Sequence, residues 1–293
     1  MDIKNSRRKF IKSSAVAGVG LSLLDPFSVQ AMLKKSKMQI GLVTYQWGKD
    51  WDLPTLIANC EKTGFMGVEL RTQHAHGVET SLSGKERLEV KQRFADSPVT
   101  CLGYGSNYDY HHVDQARVKQ NIAGTKEYLQ LCKDIGATGI KVKPNGLPSE
   151  VSKEKTIAQI AASFNEVGKY ASDLGQVIRV EVHGKATQEI PNMKAIFEQV
   201  TEKSVKMCWN CNSQDLLAPG LEPNFNSVKK WFGDTVHIRE LNVGDYPYQQ
   251  LMDLFNGMNY KGWILLEART TPADRIAAMN EQLEVFNKMI GKA

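Results

Sequence analysis

Short apolar segments of strand character alternate with amphipathic, helix-like stretches along nearly the whole chain, and this rhythm restricts the fold more than any other feature. Candidate strands fall at 39–45, 66–71, 98–104, 138–143, 176–183, 205–210, 235–240 and 263–267. Candidate helices fall between and after them, at 53–63, 85–95, 115–134, 155–174, 190–202, 224–231, 248–256 and 273–290. Parallel strands must be joined by a crossover that packs back onto the sheet, so strand–helix alternation predicts a parallel sheet wound with helices. Eight such units close the sheet on itself, and the expected fold is a single (β/α)8, or TIM, barrel of class α/β. Three helix-to-strand junctions repeat a spacing: Gly64 with Gly67, Gly136 with Gly139, and Asn259 with Gly262. In each, the first residue suits a left-handed helix cap and the second opens a strand.

The first 31 residues read as an export signal rather than as part of the fold. Lys4, Arg7, Arg8, Lys9 and Lys12 precede an apolar stretch from Ala15 to Leu24, too short to span a membrane, and Val29-Gln30-Ala31 is a candidate cleavage site. The run Ser6-Arg7-Arg8-Lys9-Phe10-Ile11-Lys12 resembles the twin-arginine motif that exports folded proteins. Residues 32–293 are then the barrel domain, and the expected location is periplasmic or otherwise extracytoplasmic, with no stable membrane insertion after signal removal. The signal carries five Lys/Arg against two Asp, so the net charge falls from +5 to +2 without it. A nearly neutral domain gives no reason to expect a nucleic-acid partner. A domain of roughly 260 residues is also what one such barrel needs. Its five cysteines lack the paired spacing of a structural zinc site. The lone Cys208-x-x-Cys211 would sit at a strand end, not at the helix start that favours a reactive thiolate.

Within five of the strands, apolar and ionisable residues alternate. Val68 and Leu70 alternate with Glu69 and Arg71, Ile140 and Val142 with Lys141 and Lys143, and Ile178, Val180 and Val182 with Arg179, Glu181 and His183. Val236 and Ile238 alternate with His237 and Arg239, and Ile264 and Leu266 with Leu265 and Glu267. In a barrel one parity faces the helices and the other faces the interior and the catalytic mouth. Charges on the inner parity must pair with one another, bind a ligand or hold a metal, because an isolated buried charge is costly. Internal ion pairs such as Arg71 with Glu69 would satisfy some of them. Glu181, His183, Asn210, His237 and Glu267, however, are metal-binding residue types gathered at the carboxyl ends of strands, where such folds place their chemistry.

Three of these patches resemble the xylose-isomerase-like barrels, a superfamily of sugar isomerases and epimerases with a DNA-repair endonuclease branch. Val180-Glu181-Val182-His183-Gly184 matches the family's glutamate at the end of a middle strand, and Val236-His237-Ile238-Arg239-Glu240 its histidine on the seventh. Gly262-Trp263-Ile264-Leu265-Leu266-Glu267 matches the glutamate that ends the eighth strand. Asn210 departs from the pattern, standing where relatives usually carry Asp. An amide oxygen binds a hard cation without contributing charge, which predicts weaker affinity at that corner. The resemblance implies a divalent metal ion (Mn, Mg, Co or Zn) held by Glu181, Asn210, His237 and Glu267. It also implies proton abstraction beside a sugar carbonyl, with Glu181 and Glu267 exchanging the proton and Lys143 and His183 assisting.

Arg239, Lys141, Arg71, His74, Tyr104 and Trp47 are the candidate substrate-binding residues, the last two by stacking on a sugar face. No phosphate cradle or dinucleotide fingerprint is present, and an exported barrel meets non-phosphorylated carbohydrate. The same machinery acting on a sugar with a leaving group beta to the carbanion would make a lyase or hydratase on 3-keto-glycosides or their glycal products. A barrel that binds carbohydrate without turnover is the alternative of another class. A homo-oligomer is compatible with either.

Overall fold

The structure is a computed structural model and describes residues 36–292, so the export signal read at 1–31 lies outside the described residues. Eight parallel strands, each followed by a helix, form the barrel. The strands are β1 (Gln39–Val43), β2 (Gly67–Arg71), β3 (Thr100–Asp109), β4 (Gly139–Lys143), β5 (Val177–Glu181), β6 (Val205–Cys208), β7 (Thr235–Ile238) and β8 (Trp263–Leu266). The helices are α1 (Leu53–Thr63), α2 (Gly84–Ala95), α3 (Gln115–Asp134), α4 (Lys153–Asp173), α5 (Ile190–Phe197), α6 (Leu221–Val228), α7 (Tyr248–Gly257) and α8 (Arg275–Met289). No helix among the described residues is long and apolar enough to cross a membrane.

Neighbouring strands pair in sequence order from β1 to β6 and again at β7–β8, and β8 returns to β1 through Gln39 opposite Trp263 and Leu42 opposite Leu266. The seam between β6 and β7 is the thinnest join, with isolated bridges Met207–Phe232 and Asn210–His237, and the His237 amide donating to the Trp209 carbonyl at 2.8 Å. Helix starts follow local chemistry: Asp52 caps α1 by accepting from the Thr55 amide at 2.9 Å, and Ser83 with Glu86 closes a reciprocal box at α2. The helix ends confirm the repeated junctions, since Gly64, Gly136 and Asn259 all adopt left-handed backbone, with φ of 75°, 81° and 56°.

Two cores result. The outward parity of the strands, including Val68, Leu70, Ile140, Val142, Ile178, Val180, Val236 and Ile238, is buried against the helices. Inside the barrel, a small apolar layer of Val43, Leu102 and Leu265 is overlain by charged residues. Leu102 joins it because the register slips there: Val68 lies opposite Cys101 but Glu69 opposite Gly103. Below the site, the buried Arg179 reaches across the interior to Asp234 (2.9 and 2.7 Å), the Leu102 carbonyl (2.8 Å) and Thr138 Oγ1 (2.7 Å). Gly103 makes room for it, since a Cβ there would sit 2.4 Å from both Arg179 Nη1 and the Gly139 carbonyl. All five cysteines, Cys208 and Cys211 among them, are buried free thiols.

Candidate active site

Above the Arg179 layer, β2, β4 and β7 aim Glu69, Lys141 and His237 at one another, and all three are fully buried. His237 Nε2 lies 3.3 Å from Glu69 Oε2, so in the neutral imidazole the proton sits on that nitrogen and the lone pair on Nδ1. Nδ1 is buried without a hydrogen-bond partner, 3.9 Å from Glu181 Oε1 and 3.8 Å from Glu267 Oε2. Glu181, His237 and Glu267 offer ligand atoms within 4.8 Å of one another. Burial opposes a charged imidazole, but the Cys208 sulfur and the Glu69 carboxylate outweigh it and raise the His237 pKa well above its ordinary value. Independently of that shift, the Glu181 and Glu267 carboxylates that face Nδ1 favour positive charge beside it. A histidine whose far nitrogen is held by a carboxylate and whose near nitrogen faces two more fits a divalent cation.

Both carboxylates are held from behind. Glu181 Oε2 takes a 2.7 Å bond from Lys141 Nζ, and Oε1 takes one of 2.8 Å from Asn210 Nδ2. Burial would raise the Glu181 pKa, but Lys141, with His237 and His183, holds it well below the usual carboxylate range. Glu267 Oε1 is 3.2 Å from Arg71 Nη1, and the same guanidinium reaches Asn107 Oδ1 at 3.1 Å. Gly105 leaves the space that Glu69 needs, for a Cβ there would lie 2.6 Å from Glu69 Oε1. Asn210 directs its nitrogen to Glu181, so Oδ1 is its only atom able to bind a cation.

The mouth is a pocket of about 180 Å³ lined by Tyr45, Arg71, Lys143, Glu181, His183, Glu267 and Arg269. His183 is oriented by a residue that the sequence does not advertise. Asn145 adopts left-handed backbone (φ 71°) and, with Gly146, forms a two-residue parallel ladder with Gly184 and Lys185. A side chain at Gly184 would strike the Asn145 backbone at 2.4 Å. The Asn145 amide nitrogen donates to Asp109 Oδ2 at 2.6 Å, which turns its oxygen to His183 Nδ1 at 2.8 Å. His183 therefore carries its proton on Nδ1 and leaves Nε2 as the acceptor. Burial lowers the His183 pKa, reinforced by Lys143, Lys141 and Arg269 against the pull of Glu181. Burial, with Lys141, likewise lowers the Lys143 pKa. Asp109, His111 and His112 form a second group of ligand-type atoms, but Asp109 is already bonded to His112 at 2.5 Å and to Asn121 and Asn145.

The structure thus brings Glu181, His237, Glu267, Asn210, Lys143, His183 and Arg71 together and sets others apart. Tyr104 is buried on the helix-facing side of β3 against Tyr128, its hydroxyl 2.7 Å from the Val78 carbonyl, and Trp47 is buried with Nε1 donating to the Thr270 carbonyl at 3.0 Å. Neither presents a stacking face, because chain from other parts of the barrel covers both. His74 binds Thr44 Oγ1 at 3.0 Å through Nδ1; burial, with His76 and Arg71, lowers its pKa to about 4, and it stays outside the pocket. Lys141 is sealed under Glu181 and cannot touch a substrate. Arg239 points away from the pocket lining, its charge felt at Cys211, Asp215 and Tyr248, while Arg269 occupies the place expected of it. The expected Arg71–Glu69 pair is replaced by Arg71–Glu267 and Glu69–His237. Glu69, Tyr45, Asn145 and Arg269 are therefore additions to the site; only Glu69 carried a signal, through its inward parity.

A family model described as xylose isomerase-like TIM barrel matches residues 57–289. Among solved structures, the chain is similar to 3-keto-D-glucoside 4-epimerase from E. coli, with TM-score 0.72, 16% identity, and 86% of this chain and 100% of that chain covered. An L-ribulose 3-epimerase aligns with TM-score 0.74 and 15% identity over 87% of this chain and 95% of that chain. The IOLI protein with a bound zinc atom aligns with TM-score 0.71 and 13% identity over 87% and 99%. At these identities the likeness establishes the common fold. A search of curated proteins finds no significant match.

Proposed function

Because this chain belongs to the xylose isomerase-like TIM barrel family, we propose that it is an enzyme of the sugar isomerase and epimerase type, removing and returning a proton at a carbon beside a sugar carbonyl. The observation that carries this reading is His237, whose Nδ1 is buried, unpartnered and set between Glu181 and Glu267. Glu181, His237 and Glu267, with the Asn210 amide oxygen, would hold a divalent ion. When bound, the ion supplies Lewis acidity toward the carbonyl and adjacent hydroxyl of the sugar, and offsets the negative charge of deprotonation.

The chain's own residues do the rest. Lys141 and Asn210 keep Glu181 ionised and oriented, and Arg71 orients Glu267 by a hydrogen bond at 3.2 Å. Two fixed carboxylates of this kind can serve as base and conjugate acid. With one carboxylate ionised and the other carrying a proton from solvent, removal of the substrate proton by the first and delivery by the second to the opposite face inverts a carbon, whereas return of the abstracted proton by the first to the neighbouring carbon moves the carbonyl. His183, anchored by Asn145, is placed to accept from a substrate hydroxyl through Nε2, and Lys143 to donate to a substrate oxygen. The substrate we propose is a non-phosphorylated carbohydrate met outside the cytoplasm; the Arg7-Arg8 segment supports that location, and fractionation of cells expressing the full chain tests it.

Incubation of the purified protein with keto-glycosides and free ketoses in heavy water tests the reaction. Deuterium at a retained ring carbon, lost in Glu267→Gln, is the expected result. Release of an aglycone would replace this reading with a lyase. A protein that purifies without metal and whose carbohydrate affinity ignores Glu267→Gln would make it a non-catalytic binding barrel.

A further inference from the structure

We propose that the pocket is built for an acidic sugar, one bearing a carboxylate as uronic and keto-aldonic acids do; this deepens the sugar-enzyme reading above and rests on the same pocket. The argument is one of charge. Two carboxylates line the pocket, and each already has a cationic partner: Lys141 binds Glu181 from beneath at 2.7 Å, and Arg71 binds Glu267 at 3.2 Å. Two further cations line the same space, Lys143 at the end of β4 and Arg269 just beyond β8. Among the described residues neither has a side-chain hydrogen-bond or ion-pair partner. In a ring of eight strands, β4 and β8 stand on opposite walls, so the two unmatched cations flank the space a substrate would fill.

Glu181 and Asp109 act on Lys143 through space, and Glu240 Oε1 accepts from the Arg269 backbone amide at 3.0 Å, but among the described residues no carboxylate contacts either cationic head. Arg179 is neutralised by Asp234, and the Glu69 charge is directed to His237. Asn210 contributes an uncharged amide where an acid would have added a negative charge. A divalent ion would increase the surplus. A neutral sugar leaves that surplus unmatched, and a half-buried ammonium without a counter-ion is unfavourable. A ligand carboxylate supplies the counter-ion, and the planar guanidinium of Arg269 is suited to bind it through two parallel bonds. Carboxylate is favoured over phosphate because the sequence has no glycine-rich loop of backbone amides of the kind that cradles phosphate.

Titration calorimetry of the intact protein with D-fructose, D-fructuronate and D-fructose 6-phosphate, a series that differs only at C6, tests the inference. The expected result is D-fructuronate binding about tenfold or more tighter than D-fructose, a gap that narrows as salt is raised, with a loss of about tenfold in Arg269→Met, in line with one charged hydrogen bond, and a smaller, salt-sensitive loss in Lys143→Met, which acts on the carboxylate through space. Equal affinity for fructose and fructuronate, no binding of fructuronate, or no effect of either substitution overturns it. Tighter binding of the phosphate than of the carboxylate overturns the carboxylate assignment. Binding in the expected pattern with no deuterium exchange into any sugar would overturn the catalytic reading and leave this one standing; exchange into neutral ketoses with no preference for the acid would do the reverse.

Discussion

Replacing Lys141 by Met removes the cation hydrogen-bonded to Glu181, and the geometry sets the size of the effect. Nζ lies 2.7 Å from Oε2 with the two side chains 0% and 2% exposed. At an effective dielectric of about 20, that separation corresponds to a gross attraction of about 6 kcal/mol. Glu181 retains the Asn210 bond, so the expected net loss is about 3–5 kcal/mol, as for other buried pairs broken on one side. For a domain of this size that is a fall in melting temperature of roughly 6–20 °C. The loss should depend on pH. Glu181 is held below its unfolded value of about 4.3, so its ionisation stabilises the fold above that pH, and the stabilisation disappears as pH falls through the depressed folded value. In Lys141→Met the folded value rises, so the gap between wild type and variant is widest near pH 7 and closes as pH falls toward 4 and below. Urea denaturation across that range measures it, and the double variant Lys141→Met/Glu181→Gln should recover most of the loss at pH 7. A loss of equal size at all pH values, or one that persists in the double variant, would show that Lys141 acts by packing and not by charge.

Asn145→Gly keeps the left-handed backbone but frees His183, so deuterium exchange into substrate should slow about tenfold with stability changed by less than about 1 kcal/mol. Gly103→Ala drives a methyl group into Arg179 and the Gly139 carbonyl and should cost at least about 1–3 kcal/mol in chemical denaturation. Asn210→Asp sets a carboxylate against Glu181, which should destabilise the metal-free protein by about 1–3 kcal/mol and tighten Mn²⁺ binding about tenfold in a titration followed by electron paramagnetic resonance.

The sequence by itself determined the eight-fold alternation, the left-handed junctions at Gly64, Gly136 and Asn259, and the inward parity that carries Glu69, Lys141, Glu181 and His237. These are local properties: period two in a strand, period 3.6 in a helix, and a left-handed residue at a helix end all act over a few residues. Tertiary structure alone decided who meets whom across the barrel. Arg71 lies two residues from Glu69 but pairs with Glu267, 196 positions away, because strand stagger sets which side chains share a layer. Trp47 and Tyr104 have the composition of a sugar platform, yet the Thr270 carbonyl, 223 positions from Trp47, and the Val78–Glu79 segment cover them. Arg239 and Arg269 are indistinguishable as residue types, and only the course of the chain past β7 and β8 brings Arg269 to the pocket. Periodicity states which way a side chain points from its own strand, while the partner it finds depends on the height and curvature of strands more than a hundred residues distant.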